Sequence, residues 1–335
     1  MLKKAMIMSA GIGTRLEPLT LSVPKPLIPL GNVPVMDFSI LHLSNNGIKD
    51  VIANLYYLSE QIIERYSGKN RFGINFNYIK EDVLSGTAGG VKKCQFFFDK
   101  NDDFLVISGD GLTDFELQEA YESHKNSDAI ATMVVNKIDK SEVSKYGVVV
   151  TDENGFVRNF QEKPKEEEAL STLINTGIYI FKYEIFDIIP KDTFFDFAKD
   201  VFPRLMETGY KINTFKTNRY WSDIGTLSQY KISNDDVLQE KISTASQLIE
   251  NKTNEGYVSA SEVNEVQISG NCSIGKNCIF GQNVKIENSI LWDNIIVNDN
   301  VTIKDSIIAS NNIITEDIIK SVIGAAPKEQ YRVLT

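Results

Sequence analysis

Residues 5–20 read AMIMSAGIGTRLEPLT. An apolar run at its start is followed by Gly11 and Gly13, which are separated by one residue. The run from Ala5 to Ser9 predicts a buried β-strand. A glycine-rich turn directly after a strand lets backbone N–H groups approach phosphate oxygens, because no side chain stands in the way. Leu16 occupies the place of the third glycine of a dinucleotide fingerprint, and no Gly-Lys-Ser/Thr follows as in a P-loop. The segment therefore predicts a strand followed by a phosphate-binding loop of another type.

Two cations accompany this loop. Arg15 and Lys25 lie ten residues apart, and Lys25 stands between Pro24 and Pro26. Arginine binds phosphate oxygens with two parallel hydrogen bonds, whereas lysine supplies a compact charge. Together they predict a loop that holds a triphosphate and neutralises charge at the reacting phosphorus.

Beyond the loop, short apolar runs alternate with amphipathic stretches up to about residue 235. The predicted strands are Ala5–Ser9, Val51–Asn54, Phe76–Ile79, Phe104–Ser108, Ala129–Val135 and Ile178–Phe181, and the predicted helices include Met36–Asn46, Ser59–Tyr66 and Leu117–Lys125. This alternation predicts an α/β fold, a Rossmann-like and mainly parallel sheet with helices on both faces. Ligands of such sheets bind beyond the carboxyl ends of the strands.

The pattern changes to a six-residue period near the C-terminus. One series is Cys272, Cys278, Val284, Ile290 and Ile296, and a second is Ile268, Ile274, Phe280 and Ile286. This period predicts a short parallel β-helix with both cysteines in its core and asparagines at its corners, namely Asn271, Asn277, Asn283, Asn288 and Asn294. The alternatives are a meander of ordinary strands and, for the cysteines, a metal pair. We expect an α/β domain over residues 1–235, a polar connection over 236–256 and the β-helix over 257–335.

The composition narrows the class of protein. The chain has 335 residues, 42% hydrophobic, with 35 basic against 45 acidic residues and a net charge of −10, which argues against a nucleic-acid partner. Three cysteines are too few for a disulfide framework and favour a reducing compartment. No apolar run reaches the roughly 18 to 20 residues that cross a bilayer, and the run after Lys3 and Lys4 is too short for a signal peptide. We expect a cytoplasmic protein with no membrane partner.

The loop string Gly-x-Gly-Thr-Arg-Leu-x-Pro-Leu-Thr, with Pro-Lys-Pro after it, resembles the signature of the sugar-1-phosphate nucleotidyltransferases. Further blocks of that family follow in order over nearly the whole chain: Leu84–Gly89, Ser108–Asp110, Tyr146–Gly147, Phe160–Pro164, Asn175–Gly177 and Trp221–Thr226. The resemblance implies a left-handed β-helix tail and transfer of a nucleotidyl group from a nucleoside triphosphate to a sugar 1-phosphate. The Gly-Thr-Ala-Gly block and the tail are most similar to mannose-1-phosphate guanylyltransferases, which implies GTP and mannose 1-phosphate.

The resemblance also implies roles for single residues. Asp110 and Asp223 are expected to hold Mg²⁺, although each also fits a turn or cap aspartate on local grounds. The expected catalytic cations are Arg15 at the pyrophosphate, Lys25 at the α-phosphate and Lys163 at the attacking sugar phosphate. The expected nucleotide-binding residues are Ala10, Gly11, Gly13, Thr14, Arg15, Lys25, Glu81, Gly86 and Thr87, and those of the sugar are Gly147, Glu162, Lys163 and Asn175. A carboxylate at Glu81 would accept hydrogen bonds from the N1–H and amine of guanine.

Other interpretations stay open. The same chemistry would serve dTTP, UTP, ATP or CTP with glucose 1-phosphate, or GTP with heptose 1-phosphate. A non-catalytic relative that binds nucleotide sugars is another candidate, although the phosphate cations and metal carboxylates are present. An acyltransferase working through the β-helix is disfavoured, because no histidine follows His124. We expect a homo-oligomer, with the β-helix as its assembly surface.

Overall fold

The computed structural model describes residues 2–253 and 256–327. The chain forms two compact units, each described on its own below. The first contains the residues up to Gly11 together with Ser39–Trp221, and the second contains Ile12–Phe38 together with the described residues from Ser222 onward. The loop segment after the first strand thus packs in one unit with the C-terminal part of the chain. The end of the expected β-helix domain, residues 328–335, lies outside the described residues.

The α/β part of the chain contains strands β1 to β13 and helices α1 to α8. In chain order the strands are Lys4–Ser9, Pro29–Leu30, Val33–Pro34, Asp50–Leu55, Asn75–Lys80, Phe104–Ser108, Gly111–Thr113, Ala131–Lys137, Gly147–Thr151, Val157–Glu162, Leu173–Phe181, Ile212–Thr217 and Trp221–Asp223. The helices are Val35–Asn45, Ser59–Tyr66, Gly86–Lys93, Leu117–Asn126, Ile185–Ile188, Phe202–Glu207, Leu227–Leu238 and Ala245–Leu248. None of the helices within the described ranges is long and apolar enough to span a membrane.

The first unit is built on one sheet with the order β10-β9-β11-β6-β1-β4-β5, to which β8 and β12 are added through β11. The strands β6, β1, β4 and β5 run parallel, with Ala5 opposite both Leu105 and Val51. Strand β11 is antiparallel to its neighbours, and β9 and β10 form an antiparallel pair. The Rossmann-like, mainly parallel sheet expected from the alternation is confirmed, and the carboxyl ends of β1, β4, β5 and β6 share one edge.

The antiparallel strands β8 and β11 overlap the predicted strands Ala129–Val135 and Ile178–Phe181, whereas the pair β9 and β10 was not predicted. Strands β9 and β10 are joined by a tight turn in which Gly155 has a φ of 82° and Asp152 Oδ1 accepts hydrogen bonds from the backbone N–H groups of Asn154 and Phe156. Asn-Gly between two apolar runs is a strong hairpin signal. The sequence therefore held a usable marker of this pair.

The core of the first unit is rich in stacked aromatic rings. Phe104 lies 4.2 Å from Phe98 and 5.1 Å from Phe186 between ring centroids, and all three rings are buried. Aromatic pairs of this kind add about 0.5–1.5 kcal/mol each beyond the burial of their area. These ring contacts fix the position of the strand that ends at Ser108, and with it the carboxyl end of that strand.

The second unit ends in a parallel β-helix of short strands β14 to β25. Their bounds are Val258–Ser259, Gln267–Ser269, Ser273–Ile274, Ile279–Phe280, Lys285–Glu287, Ile290–Leu291, Ile296–Val297, Thr302–Lys304, Ile307–Ile308, Ile313–Ile314, Ile318–Ile319 and Val322–Ile323. They stack into three sheets, one on each side of the coil. The left-handed parallel β-helix expected at this end of the chain is confirmed.

The six-residue period fails after the first coil. The spacing between paired coils varies, and it is 15 residues where Val258 lies opposite Ser273 and where Ile307 lies opposite Val322. In the middle of the β-helix the spacing is 17 residues, as in Ser273 opposite Ile290 and Ile290 opposite Ile307. A coil of three six-residue sides would be one residue longer, so the core positions move back by one in the second coil. Leu291 and Ile295 fill the core there, and the expected positions Ile290 and Ile296 do not.

Most predicted corners are confirmed. Asn277, Asn283, Asn288 and Asn294 have φ values of 58°, 56°, 46° and 60°, in the left-handed region that asparagine tolerates. At the first corner this conformation falls on Gly270, with a φ of 69°, and not on Asn271, so that prediction is wrong by one residue. The corner amides also stack from coil to coil: Asn277 Nδ2 donates to Asn294 Oδ1 at 3.1 Å, and Asn294 Nδ2 donates to Asn311 Oδ1 at 3.0 Å.

Candidate active site

The backbone is open where β1 ends. Ala10 is buried, whereas Gly11 is exposed, and a Cβ built on Gly11 would meet no atom within 4 Å. Space beside a glycine at the carboxyl end of a parallel strand is what close approach of a phosphate or a base requires. The structure therefore leaves the backbone at Gly11 accessible to a ligand.

In the second unit the loop continues with a turn that requires glycine. Gly13 has a φ of 78°, and a Cβ there would lie 3.0 Å from Thr20 Cγ2 and 3.2 Å from Lys25 Cβ. The Thr20 hydroxyl donates to the Gly13 carbonyl at 3.0 Å. Thr14 opens a short 3-10 turn over Thr14–Leu16. The backbone at Gly13 thus packs against the aliphatic part of the Lys25 side chain.

Arg15 lies close to Asp223 in the same unit. A Cβ built on Gly225 would be 2.8 Å from Asp223 Oδ2 and 3.7 Å from Arg15 Nη1. Arg15 is exposed, and Asp223 is half-buried at the end of β13. One cation expected to bind phosphate and one carboxylate expected to bind metal therefore lie beside Gly225.

In the first unit, Asp110 follows β6. The Ser108 hydroxyl donates to Asp110 Oδ1, which holds the carboxylate at the end of the strand. Gly109 packs tightly here, because a Cβ on it would lie 2.5 Å from Ser9 Oγ, and its N–H donates to the Met8 carbonyl at 2.9 Å. Asp110 is half-buried, so its carboxylate is oriented by the protein and still reached by solvent.

Glu81 directly follows β5 and has a well-defined set of partners. Its side chain is only 1% exposed, and Oε1 accepts from Asn54 Nδ2 at 2.7 Å. Oε2 accepts from Lys93 Nζ at 2.9 Å and from the Ser85 hydroxyl. Asn54 in turn accepts from the Ser9 N–H at 3.1 Å. The carboxylate therefore links the ends of β1, β4 and β5 with the loop before α3, through contacts within the first unit.

The loop at Gly86 and Thr87 is held by a segment that the sequence analysis did not identify. Gly86 has a φ of 77°, and a Cβ there would overlap the Phe195 carbonyl oxygen. The Thr87 hydroxyl donates to Asp196 Oδ2 at 2.9 Å and accepts from the Phe197 N–H at 2.9 Å. Asp196 also caps the helical turn that begins at Phe197. An aspartate just before an apolar helical run is an N-cap signal, so the sequence marks Asp196 as a cap but carries no sign of its contact with Thr87.

Three of the residues expected to meet the sugar lie at one end of the β9–β10 hairpin: Gly147 begins β9, Glu162 ends β10 and Lys163 follows it. Gly147 is directly opposite Glu162 in the hairpin, and the Lys163 N–H donates to the Tyr146 carbonyl at 3.1 Å. Lys163 has a φ of 46°, an uncommon conformation for a residue with a side chain. The side chains of Glu162 and Lys163 are 44% and 53% exposed and 3.8 Å apart. The hairpin thus presents an acceptor and a cation side by side to solvent.

Asn175 lies in β11 with its amide engaged. Its Oδ1 accepts from the Gly177 N–H at 3.0 Å, and its Nδ2 donates to the Tyr179 hydroxyl at 2.7 Å. Burial raises the pKa of the Tyr179 hydroxyl above its ordinary value. The pairing of β11 with β8 is irregular between Asn175 and Tyr179, so these bonds replace part of the strand ladder. One N–H and one lone pair of the amide stay available to a ligand.

Comparison with known proteins identifies the family. A family model described as nucleotidyl transferase matches residues 4–240, which is more than half of the chain. The chain belongs to the sugar-1-phosphate nucleotidyltransferase family. It is 42% identical over 237 residues to the UTP–glucose-1-phosphate uridylyltransferase of Synechocystis sp., covering 68% of this chain and 61% of that protein. It is 35% identical over 227 residues to the mannose-1-phosphate guanyltransferase of Saccharomyces cerevisiae, covering 66% and 61%.

The chain thus spans about three fifths of the length of these nucleotidyltransferase relatives. Among solved structures it is similar to HddC from Yersinia pseudotuberculosis, with a TM-score of 0.61 and 25% identity over 70% of this chain and 99% of that one. The fold is also that of the UDP-glucose pyrophosphorylase from Acinetobacter baumanii, with a TM-score of 0.63 and 20% identity over 72% and 95%. The family model matches residues 4–240, so the α/β part of the chain is the part that it shares with the family.

Proposed function

We propose that this protein transfers a nucleotidyl group from a nucleoside triphosphate to a sugar 1-phosphate and releases pyrophosphate. The observation that carries the proposal is the placement of Arg15 next to Asp223 around Gly225. Arg15, on the loop that the family signature marks, is a cation suited to phosphate, and Asp223 beside it is a carboxylate suited to a divalent metal.

In this reaction an oxygen of the sugar 1-phosphate attacks the α-phosphorus. The new P–O bond forms as the bond to pyrophosphate breaks, and the pyrophosphate carries away the electron pair. The nucleophile is already an anion, so no general base is needed. The task of the protein is to hold two mutually repelling anions in line. Lys25 would offset charge at the α-phosphate, Arg15 would hold the departing pyrophosphate, and Lys163 would orient the attacking phosphate.

The donor set fits Mg²⁺ as the expected cofactor. Asp110 and Asp223 are half-buried carboxylates, and the Ser108 hydroxyl fixes one oxygen of Asp110. Mg²⁺ is usually held by one or two carboxylates together with substrate phosphates, and a hydrogen-bonded partner orients such ligands. When bound, the ion would supply positive charge that lowers the repulsion between the two phosphate groups.

For the sugar we propose the hairpin residues and Asn175. Glu162 would accept hydrogen bonds from sugar hydroxyls, and Lys163 beside it would bind the phosphate. The Gly147 backbone and the free N–H of the Asn175 amide would complete the contacts. On the nucleotide side, the Ala10, Gly11 and Gly13 backbone, Thr14, and the loop at Gly86 and Thr87 would face the base and phosphates.

The substrate pair that we favour is UTP and glucose 1-phosphate. The relative that is 42% identical is a uridylyltransferase, and the Glu81 carboxylate, which the sequence analysis reserved for guanine, is buried and engaged by Asn54, Ser85 and Lys93. GTP with mannose 1-phosphate is the second candidate. It is supported by relatives about 35% identical that are named as mannose-1-phosphate guanyltransferases in several organisms.

A matrix of five nucleotides, UTP, GTP, dTTP, ATP and CTP, against glucose, mannose, galactose and heptose 1-phosphates tests the proposal. Pyrophosphate release is measured for each pair with Mg²⁺ present. We expect UTP with glucose 1-phosphate to give the highest kcat/KM. Turnover of GTP with mannose 1-phosphate alone selects the second candidate. Nucleotide-sugar binding without turnover of any pair would contradict the enzyme and favour a non-catalytic relative.

A further inference from the structure

The loop that carries Arg15 and Lys25 belongs to the same compact unit as helix α7 and the β-helix. We propose that Tyr230 and Asn234 on α7 are positioning residues, through which the β-helix fixes the conformation of this phosphate-binding loop. The inference rests on the proposed function and deepens it, since it makes the β-helix part of the nucleotide site.

Tyr230 forms the first link. Its hydroxyl donates to the Pro29 carbonyl at 2.7 Å and accepts from Trp292 Nε1 at 3.0 Å. Tyr230 is fully buried and Trp292, in the β-helix, is 4% exposed. A single buried hydroxyl therefore connects the β-helix to the far end of the loop, with no solvent to replace either bond.

Asn234 forms the second link, one turn further along α7. Its Oδ1 accepts both from the Gly31 N–H at 2.9 Å and from the Ser273 hydroxyl at 3.0 Å. Asn234 and Ser273 are buried. The same oxygen thus receives one donor from the loop and one from the β-helix.

Direct contacts support both ends of the loop. Asn32 Nδ2 donates to the Ile274 carbonyl of the β-helix at 2.7 Å. At the other end, a Cβ on Gly324 would lie 3.0 Å from Pro18 Cβ, so the last coil packs against the residues just after Arg15. Lys25 lies between these two anchored ends.

The loop depends on such anchors because it has little regular structure of its own. Between β1 and α1 it consists of 3-10 turns, Thr14–Leu16, Leu19–Leu21 and Lys25–Leu27, and the short pair β2 and β3. Short 3-10 turns have poor hydrogen-bond geometry. A displacement of about 1 Å in groups that position a substrate costs on the order of a hundredfold in rate.

The test compares two full-length variants with wild type. Tyr230→Phe removes the hydroxyl and leaves the Pro29 carbonyl and Trp292 Nε1 unpaired. Trp292→Phe removes the donor from the β-helix together with part of a buried ring and leaves the bond to Pro29 in place. We expect Tyr230→Phe to raise KM for the nucleotide about tenfold, with Trp292→Phe intermediate and KM for the sugar phosphate changed less than about twofold. Lys304→Ala is the matched control, because it breaks an exposed ion pair with Glu287 on the β-helix surface and should leave KM unchanged.

Two outcomes overturn the inference. One is a Tyr230→Phe protein with a lower melting temperature and an unchanged nucleotide KM, since that shows a structural role alone. The other is unchanged hydrogen exchange of the backbone amides in residues 12–38, which is measured on the variant without substrates. That second readout also separates this inference from the proposed function, because a protein that turns over no substrate pair still reports the loop through exchange.

Discussion

Arg15 and Asp223 approach each other over Gly225, where a Cβ would lie 3.7 Å from Arg15 Nη1 and 2.8 Å from Asp223 Oδ2. A contact of 2.8 Å is shorter than real Cβ atoms show, so a side chain at this position must displace the Asp223 carboxylate. Glycine at residue 225 therefore leaves room for the Asp223 carboxylate, with the Arg15 guanidinium beside the same position.

Gly225→Ala should accordingly lower kcat/KM by about 10² without unfolding the protein, since it moves one preorganised charge. Steady-state kinetics at saturating Mg²⁺ and a Mg²⁺ titration check this, and we expect the half-saturating Mg²⁺ concentration to rise. Thermal unfolding of the same variant is the control. Wild-type kinetics in Gly225→Ala would show that the placement of Asp223 is irrelevant to the reaction.

Alanine substitution should affect ligand binding at Gly11 and protein stability at Gly13. A methyl group on Gly11 meets open space in the protein, whereas one on Gly13 meets Thr20 and Lys25 at a φ of 78°. Gly11→Ala should keep its stability and raise KM for the nucleotide about tenfold, because the methyl occupies space meant for the ligand. Gly13→Ala should lose about 1–3 kcal/mol of unfolding free energy. Chemical denaturation and nucleotide titration of both variants measure the contrast, and equal nucleotide affinity in Gly11→Ala and wild type contradicts it.

The strands of the parallel sheet could be predicted from the sequence because each buried strand is a continuous apolar run. Phe104–Ser108 has the same bounds in the sequence analysis and in the structure, and so does Ser59–Tyr66. The β-helix was recognisable from its period, although its coils of 15 and 17 residues were not, because residues lost at a corner leave no trace in a short repeat.

The site was harder to predict wherever it depends on contacts between distant segments. The hydrogen bond from Gly31 to Asn234 joins residues 203 apart, and the one from Thr87 to Asp196 joins residues 109 apart. Neither pair shows a spacing that local periodicity reveals. The motifs predict which loops form the site, whereas the partners that hold those loops emerge only from the packing.

Glu81 provides a test of which groups read the base. If its carboxylate bound guanine directly, Glu81→Gln would change the order of preference among nucleotides. With its oxygens engaged by Asn54, Ser85 and Lys93, we expect Glu81→Gln to lower kcat/KM for every nucleotide by a similar factor of about ten and to keep the order. Lys93→Met removes one hydrogen-bond partner of the Glu81 carboxylate. It should also lower kcat/KM for every nucleotide, by a smaller factor. A selective loss of GTP in the matrix of substrates would refute this expectation.

Asp110 should be needed for turnover and not for folding. Asp110→Asn removes the charge while keeping the shape, and we expect kcat to fall by about 10²–10³. Ser108→Ala, which removes the hydroxyl that orients the carboxylate, should cost about tenfold or less. Isothermal titration with Mg²⁺ in the presence of nucleotide checks the cause, because binding should weaken in the order wild type, Ser108→Ala, Asp110→Asn. The same Mg²⁺ affinity in all three would remove Asp110 from the proposed metal site.

The two cysteines of the β-helix should be chemically inert in the folded protein. Burial raises the pKa of both the Cys272 and Cys278 thiols from 9.0 to about 11. Since the thiolate is the reactive form, each should react with a thiol reagent at pH 8 about a hundredfold more slowly than an unshifted cysteine does. Labelling with a chromogenic disulfide before and after unfolding in guanidinium measures this, and a zinc indicator added during unfolding tests the metal alternative. Slow native labelling, fast labelling after unfolding and no released zinc are the expected results, whereas release of zinc as the β-helix unfolds would assign the two thiols to a metal site.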